Sequence, residues 1–353
     1  MFNVACNIFF SEINKFGGNA YITHDNKLAY CEIPKVGCTY WKKIIRLWSR
    51  DVEADVTSPE QISRMYVHFG DWNHTKLMKL IKAKDIDMIN RMDYKFTMTR
   101  DPYARLWSGY LDKLFLPDFW WWIGSNIVHQ TRTNATFWSK HCGNDVTFTE
   151  FMTFVVDNLK QGLPLDTHFL PIHMQCNPCN VKFDAVGKVE TFSSDVKLIL
   201  NESGLGQLDA PAQKEDRSLE EIRMLTEYNF NIQDRLVKLG NKSECYYQPK
   251  IAYRIWRTFQ FNGYIGDAFE FPAKEVKSIG TRDKIRDFLM DKLVNIRSKA
   301  SSNDIKQWSK QRKQYIEKAY RELPHDLKHA LRDAFAKDFE LFGYDANPDY
   351  IFS

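Results

Sequence analysis

The sequence predicts an α/β protein with a parallel sheet flanked by helices and a helical C-terminal extension. Three short segments rich in strand-forming residues, at 27–33, 94–99 and 183–189, each precede a segment with apolar residues at helical spacing. Strands that alternate with helices form parallel sheets, because neighbouring parallel strands need a long crossover connection. After residue 247 the pattern changes to helical segments rich in Lys and Arg, which predicts the extension.

The three strand–helix units are predicted in chain order. The first joins the strand at 27–33 to a helix at 39–49, in which apolar residues recur from Trp41 to Trp48. In the second, Asp101 is expected to cap the helix after strand 94–99, with Pro102 at its first position. The third is the strand at 183–189 with a helix at 194–201.

The remaining segments complete a predicted single domain of 1–353. Residues 116–144 are expected to be rich in loops. Helices are predicted at 282–301, 305–322 and 326–342, where Gly343 is a helix stop. We expect an α/β body at about 20–245, with the extension at about 246–353 packed on it.

Composition excludes several classes of protein. Of 353 residues, 44% are hydrophobic and 27% charged, which fits a packed core. The net charge is only +4, so a polyanionic partner would need a local basic patch, and we expect no nucleic-acid partner. No run of about eighteen apolar residues occurs, so no membrane span is predicted. The apolar start lacks the basic region of a signal peptide.

Cysteines and glycosylation sequons together indicate an oxidising, secretory compartment. The chain has 7 cysteines, and Asn-x-Ser/Thr sequons begin at Asn73, Asn134, Asn201 and Asn241. The C-x-x-C motif at 176–179 is half of a conventional zinc site, but a second such motif is missing. Disulfides are the favoured use of the cysteines, with the pairing left open.

The loop between the first strand and its helix has the features of an anion-binding turn. It reads Pro34-Lys35-Val36-Gly37-Cys38-Thr39-Tyr40-Trp41. Backbone N–H groups and the helix dipole favour an anion at such a helix start, and Gly37 permits close approach. Lys35 adds a cation and Thr39 a hydroxyl donor. The alternative interpretation is an ordinary turn with an exposed lysine.

A second candidate phosphate-binding element follows the second strand. Arg100 stands where that strand ends, at the sheet edge where open α/β sheets bind ligands. Ser108 lies about two helical turns further on and can face the same side. An arginine fork and a hydroxyl suit a terminal phosphate. By itself the motif is more often just a capped helix start, but two such elements on consecutive units favour a ligand.

These motifs resemble the Golgi carbohydrate sulfotransferases, the family that contains the chondroitin and dermatan 4-O-sulfotransferases and the HNK-1 sulfotransferase. Residues 28–43 resemble its 5′-phosphosulfate loop and residues 100–113 its 3′-phosphate element. Further similar segments are 168–173, 176–179, 183–191 and 338–344. Gly37 and Tyr40 stand where the family commonly has Ala and Asn, and the membrane anchor usual in the family is not seen.

The resemblance implies a P-loop-like fold and transfer of a sulfuryl group from 3′-phosphoadenosine-5′-phosphosulfate (PAPS) to a sugar hydroxyl. It implies a carbohydrate acceptor, expected to be a polyanionic glycosaminoglycan or a glycoprotein glycan, no metal, and a location in the Golgi lumen or secretory pathway. The residues it assigns to nucleotide binding are Lys35, Val36, Gly37, Cys38, Thr39, Tyr40, Trp41, Arg100 and Ser108.

Three histidines are candidates for the base that takes the hydroxyl proton, and Lys35 is expected to act on the leaving group. His68 is ranked first, His168 with Asp166 to orient it second, and His74 third. A structural role is the alternative for each histidine.

Acceptor binding is assigned to basic residues near the predicted cleft. The candidates are Arg105 and Lys113, together with His168. The basic residues of the C-terminal helices are interleaved with acidic ones, which is typical of a solvated face.

Two rival functions remain open. An inactive carbohydrate- or nucleotide-binding homologue would bind adenosine 3′,5′-bisphosphate without turnover. A P-loop kinase would share the strand–loop–helix arrangement, but the sequence lacks its G-x-x-x-x-G-K-[ST] motif.

Overall fold

A computed structural model describes residues 18–70, 78–82, 85–206, 217–240 and 242–352. The chain divides by its contacts into two compact units. Unit 1 comprises Met1–Leu106, Gly162–Ala212 and Arg332–Asn347, and unit 2 comprises Trp107–Gln161, Gln213–Leu331 and Pro348–Ser353. Both units combine segments of the predicted body (20–245) and extension (246–353), whose arrangement as a single domain stays a prediction.

Unit 1 contains a five-stranded sheet in the order β3-β1-β2-β4-β5. Strand β2 pairs in parallel with β4, and β4 with β5, whereas β1 runs antiparallel to both β2 and β3. Four of the five strands therefore share one direction, and the predicted parallel sheet with flanking helices is confirmed. The strands are β1 (Asn19–Thr23), β2 (Leu28–Glu32), β3 (Met78–Lys82), β4 (Tyr94–Thr99) and β5 (Ala185–Lys188).

The α-helices of the described residues are numbered in chain order. They are α1 (Cys38–Trp48), α2 (Arg64–Phe69), α3 (Ile86–Asn90), α4 (Pro102–Tyr110), α5 (Ser125–Thr131), α6 (Phe137–Cys142), α7 (Phe148–Gln161), α8 (His173–Cys176), α9 (Phe192–Glu202), α10 (Arg217–Gly240), α11 (Gln248–Phe261), α12 (Ala273–Ser278), α13 (Arg282–Ser298), α14 (Ser302–Arg321), α15 (His325–Ala334), α16 (Ala336–Phe342) and α17 (Asp349–Phe352).

The core of unit 1 fixes α1 against the sheet. The ring of Phe96 on β4 lies 5.0 Å from that of Tyr30 on β2 and 4.5 Å from that of Trp41 on α1. All three side chains are fully buried. A disulfide between Cys31 and Cys176 also joins β2 to α8. Because β2 leads directly into the loop before α1, this packing sets the position of that loop.

The predicted strand–helix units are confirmed with small shifts of their ends. The strand at 94–99 coincides with β4, and the carboxylate of Asp101 accepts a hydrogen bond from the backbone N–H of Ala104 at 2.8 Å, as expected for a helix cap. The segment predicted at 326–342 is two helices, α15 and α16, which meet at Phe335.

The expectation of loops at 116–144 is wrong. That segment holds the short helices α5 and α6, and 3-10 and π turns at Pro117–Phe119 and Trp120–Gly124. Helices this short carry little hydrophobic periodicity, and burial of Trp120 and Ile127 contributes to their packing.

Unit 2 is helical, and a disulfide between Cys142 and Cys245 links α6 to the turn before α11. On α11 the guanidinium of Arg254 lies 5.0 Å from the ring centres of both Phe115 and Trp120. Within the described ranges, no helix has the length and apolar character needed to cross a membrane.

Candidate active site

The loop between β2 and α1, here called the Lys35 loop (residues 34–39), has an unusual backbone. Lys35 and Gly37 both have positive φ angles, of 72° and 89°. Gly37 is the N-cap of α1, and a Cβ atom there would lie 2.5 Å from Cε2 of Phe192. Both the angle and the space favour glycine at this position. The loop therefore turns sharply into the N-terminus of an eleven-residue helix.

The side chains of this segment fall into two groups. Val36 and Trp41 are fully buried and Cys38 nearly so, so these residues can offer a ligand only their backbone. Lys35 and Thr39 are half-buried and can reach solvent. The first N–H groups of a helix have no partner within the helix, so the start of α1 presents donors beside a lysine and a hydroxyl.

The structure brings Arg100 to the Lys35 loop. Arg100 directly follows β4, which lies beside β2 in the sheet. Its Nη1 donates a hydrogen bond to the carbonyl oxygen of Lys35 at 3.2 Å, and the side chain is 8% exposed. The two basic residues predicted to bind opposite ends of one nucleotide thus stand at the same edge of the sheet.

The contacts of Arg105 favour a different role from the expected one. Its side chain is fully buried and donates from Nε to the carbonyl of Pro34 at 3.0 Å, and from Nη1 and Nη2 to Leu170 and Thr167, both at 2.8 Å. Burial lowers the pKa of this guanidinium to about 10. Because its nitrogens are engaged with backbone, we replace the predicted acceptor contact with a positioning role: Arg105 joins the Lys35 loop to residues 167–170.

His68 is placed against the same loop. Its Nε2 lies 3.1 Å from the hydroxyl oxygen of Thr39, within hydrogen-bonding distance. The residue sits on α2, whose N-cap Ser63 accepts a hydrogen bond from the backbone of Tyr66. The first-ranked histidine therefore borders a hydroxyl that is predicted to face the donor nucleotide.

Helix α2 is attached to α1 by a buried arginine. Arg46 is 0% exposed, forms an ion pair with Asp51, and places its guanidinium carbon 4.2 Å from the ring centre of Tyr66. The hydroxyl of Tyr66 in turn donates to the carbonyl of Asp51 at 3.0 Å. Tyr66 precedes His68 by two residues, so these contacts hold the short helix that carries the histidine.

His168 is paired with a carboxylate, as its spacing from Asp166 suggested. Nδ1 of His168 lies 2.6 Å from Oδ1 of Asp166, and the backbone N–H of His168 donates to the same oxygen at 2.9 Å. This contact orients the ring. Arg105 donates hydrogen bonds to the carbonyls of Thr167, which lies between the two residues, and of Leu170, two residues after His168. Because Arg105 also binds the carbonyl of Pro34, it connects the segment of His168 to the Lys35 loop.

The C-terminal segment 338–344 supports the site from two sides, a contribution that the sequence signalled only through the family resemblance. The buried carboxylate of Asp338 accepts hydrogen bonds from the backbone of Ile172 and His173 and contacts the His173 ring at 2.6 Å. The hydroxyl of Tyr344 lies 3.2 Å from that of Thr99 and donates to Glu190 at 3.0 Å.

Three further candidates fall elsewhere. Ser108 is half-buried on α4, in the part of that helix assigned to unit 2. Lys113, also in unit 2, is buried and forms an ion pair with Asp118. Its Nζ also lies 3.6 Å from Oδ2 of Asp112. That pairing and its burial favour a structural role for Lys113 over the predicted acceptor contact. His74 lies outside the described residues.

A lysine-bearing loop at a helix start beside an arginine at the end of the neighbouring strand is an arrangement that suits a phosphorylated ligand. The sequence profile described as the sulfotransferase family matches residues 19–257. The chain belongs to that family, and its resemblance is to the carbohydrate sulfotransferases.

Individual relatives agree with this assignment. Carbohydrate sulfotransferase 11 of Rattus norvegicus is 30% identical over 217 residues, covering 60% of this chain and 60% of its own length. Carbohydrate sulfotransferase 9 of Homo sapiens is 30% identical over 204 residues, or 57% of this chain and 44% of its own length. The chain thus spans 60% or less of the length of these relatives. No solved structure gives a significant match.

Proposed function

We propose that the chain transfers a sulfuryl group from PAPS to a hydroxyl group of a carbohydrate. The observation that carries the proposal is the hydrogen bond from Arg100 to the carbonyl of Lys35, which joins two candidate phosphate-binding elements at one sheet edge. Membership of the sulfotransferase family and the names of the relatives support the same chemistry.

In this proposal the donor is held at both of its charged ends. The N–H groups at the start of α1, the ammonium of Lys35 and the hydroxyl of Thr39 bind the 5′-phosphosulfate. Arg100 binds the 3′-phosphate through its guanidinium fork. Ser108 joins Arg100 in that role on the resemblance alone. The positive φ angles of Lys35 and Gly37 fit a turn that wraps an anion.

The proposed reaction is an in-line displacement at sulfur. The acceptor oxygen forms a bond to sulfur, the bond from sulfur to the phosphate oxygen breaks, and adenosine 3′,5′-bisphosphate leaves with the electron pair. Lys35 and the helix N–H groups stabilise the charge on the departing phosphate. The hydroxyl proton passes to a base, which we assign to His68 because of its contact with Thr39, with His168 as the second candidate.

The acceptor is assigned by chemical class. We propose a glycosaminoglycan or a glycoprotein glycan, with His168 at the acceptor on the family resemblance, and Asp166 orienting its ring. The disulfides at Cys31–Cys176 and Cys142–Cys245 support a place in the secretory pathway, which includes the Golgi lumen.

The direct experiment supplies radiolabelled PAPS and a panel of desulfated chondroitin, dermatan, heparan and N-glycan acceptors to the full chain. We expect label in at least one polysaccharide, and disaccharide analysis would identify the sugar and hydroxyl. A parallel reaction with radiolabelled ATP should give no labelled product. Binding of adenosine 3′,5′-bisphosphate without transfer to any acceptor would favour an inactive homologue, and transfer only from ATP would favour a kinase.

A further inference from the structure

Helix α6 presents two adjacent aromatic side chains to solvent. Phe137 is 70% exposed and Trp138 is 60% exposed, and among the large hydrophobic residues that the structure describes Phe137 is the most exposed. The ring of Phe137 stacks on that of His141, with centres 5.3 Å apart and planes 12° apart. Scattered exposed apolar residues are normal, but two neighbouring aromatic rings of this exposure are a candidate contact surface.

A glycosylation sequon leads directly into this aromatic pair. Asn134 is exposed in a turn and is followed by Ala135 and Thr136. Thr136 is the N-cap of α6, and its hydroxyl oxygen accepts a hydrogen bond from the backbone N–H of Ser139 at 3.1 Å. That cap fixes where the sequon ends and the helix begins. Anything attached to Asn134 is therefore held three residues from Phe137.

The other sequons offer a comparison. Asn201 is also exposed, in the last turn of α9, and Leu198 three residues earlier is an exposed aliphatic side chain with no exposed aromatic ring beside it. Asn73 and Asn241 lie outside the described residues. Of the two described sequons, only that of Asn134 adjoins exposed aromatic rings.

We propose that Asn134 carries an N-linked glycan whose first sugars cover Phe137 and Trp138. The Nδ2 atom of Asn134 forms a bond to the anomeric carbon of an oligosaccharide. The bond from that carbon to a lipid diphosphate breaks, the diphosphate leaves with the electron pair, and the amide loses one proton. The donor is a lipid-diphosphate-linked oligosaccharide of the secretory pathway, the compartment that the disulfides indicate.

The physical reason for the covering is the shape of the two partners. The C–H faces of a pyranose ring are apolar and pack on the negative face of an aromatic ring. A glycan tethered three residues away loses little translational entropy when it makes that contact, because its local concentration is high. The glycan would thus remove two aromatic rings from water in a protein of the secretory pathway.

The test uses the full chain expressed through the secretory pathway of a eukaryotic host. Peptide N-glycosidase in heavy-oxygen water should convert Asn134 to a labelled Asp in the peptide that contains it. Trp138 is then probed by acrylamide quenching, with its contribution taken as the difference between the wild type and Trp138→Phe. We expect Trp138 to be protected in the glycosylated protein and to lose that protection in Asn134→Gln.

Asn201→Gln is the matched control and should leave the quenching of Trp138 unchanged. Absence of the label at Asn134 would overturn the proposal. If Asn134 carries a glycan but Trp138 is quenched equally in the wild type and in Asn134→Gln, the glycan does not cover the aromatic rings and that part of the proposal is wrong. If Trp138→Ala raises the KM for a carbohydrate acceptor in the Asn134→Gln background, the rings serve the acceptor and the proposal is wrong.

Discussion

The guanidinium of Arg100 donates a hydrogen bond to the carbonyl oxygen of Lys35, at 3.2 Å, although the two residues belong to different strand–helix units. The contact follows from the parallel pairing of β2 and β4, because parallel neighbours end at the same edge of the sheet. Each residue alone marks an ordinary turn. Their contact brings two separate motifs together in one candidate site.

Removing either basic group should stop the proposed transfer. We expect Lys35→Ala to reduce kcat by about 10²–10³-fold, the usual effect of removing one group that stabilises transition-state charge. Arg100→Ala should chiefly weaken binding of adenosine 3′,5′-bisphosphate, measured by calorimetry. Lys27→Ala, on an exposed turn of the same unit, is the control and should behave as wild type. Wild-type transfer by soluble Lys35→Ala or Arg100→Ala would contradict the site assignment.

His68→Ala tests the choice of base. With the proton acceptor removed, kcat should fall by about 10²–10⁴-fold while affinity for the nucleotide stays near that of the wild type. The matched variant is His168→Ala, for which we expect a raised KM for the acceptor and a smaller loss of kcat. If His168→Ala alone loses turnover while keeping nucleotide affinity, the Asp166–His168 pair supplies the base and the ranking is reversed.

The contact between Arg46 and Tyr66 should influence turnover through the position of His68. Tyr66→Ala removes the ring beneath the guanidinium, whereas Tyr66→Phe keeps the ring and loses only the hydroxyl bond to Asp51. We expect Tyr66→Ala to lower kcat by about tenfold, equivalent to about 1.4 kcal/mol, with unchanged nucleotide affinity. Tyr66→Phe should retain most activity. Equal activity in both variants would show that α2 does not depend on this contact.

Much of the sheet was predictable because its strands have strong local signals. Strand β4 and the Asp101 cap match their predictions, since a short apolar run followed by an acidic residue and a proline is a clear helix start. Strands β1 and β3 escaped prediction. Both lie toward one side of the sheet, where β1 pairs with β2 and β3 pairs with β1, and those pairings are a tertiary effect.

The site was predictable in its members but not in their contacts. Lys35, Thr39, Arg100 and His68 were named from motifs, but the 3.1 Å contact of Thr39 with His68 joins residues 29 apart. The sequence near Arg100 did not reveal that Arg105 is fully buried, which favours a positioning role over the predicted acceptor contact. Arg105 lies on α4, and which face of that helix is buried is decided by packing.

Stability should depend on pH through Asp101. Burial is the main cause that raises the pKa of this carboxyl to about 6, and the charge of Glu190 adds to it. Because the pKa is higher in the folded state, protonation of Asp101 stabilises the fold. This contribution to the free energy of unfolding is fully present below about pH 3.9 and is lost as the pH rises past 6. Asp101→Asn keeps a capping oxygen and removes the titration. Chemical denaturation from pH 4 to 7 should therefore show a smaller decline for Asp101→Asn than for the wild type; parallel curves would contradict this.

Arg105 provides the last test, which separates positioning from acceptor binding. A lysine in its place keeps the charge but cannot donate to Pro34, Thr167 and Leu170 together, so buried carbonyls lose their donors. We expect Arg105→Lys to lower the free energy of unfolding by about 2–4 kcal/mol. Arg286→Lys, a surface ion pair with Asp283, should change it by less than about 0.5 kcal/mol.

Kinetics of the same Arg105→Lys variant distinguish the two roles. Because Arg105 joins the Lys35 loop to the segment of His168, its loss should reduce kcat with several acceptors alike. The opposite result would be an Arg105→Lys variant as stable as Arg286→Lys, with a raised KM for a sulfated or carboxylated acceptor and a normal KM for a neutral one. That result would show that Arg105 binds the acceptor. Such a result would mean that the buried guanidinium leaves its carbonyls when a polyanion binds.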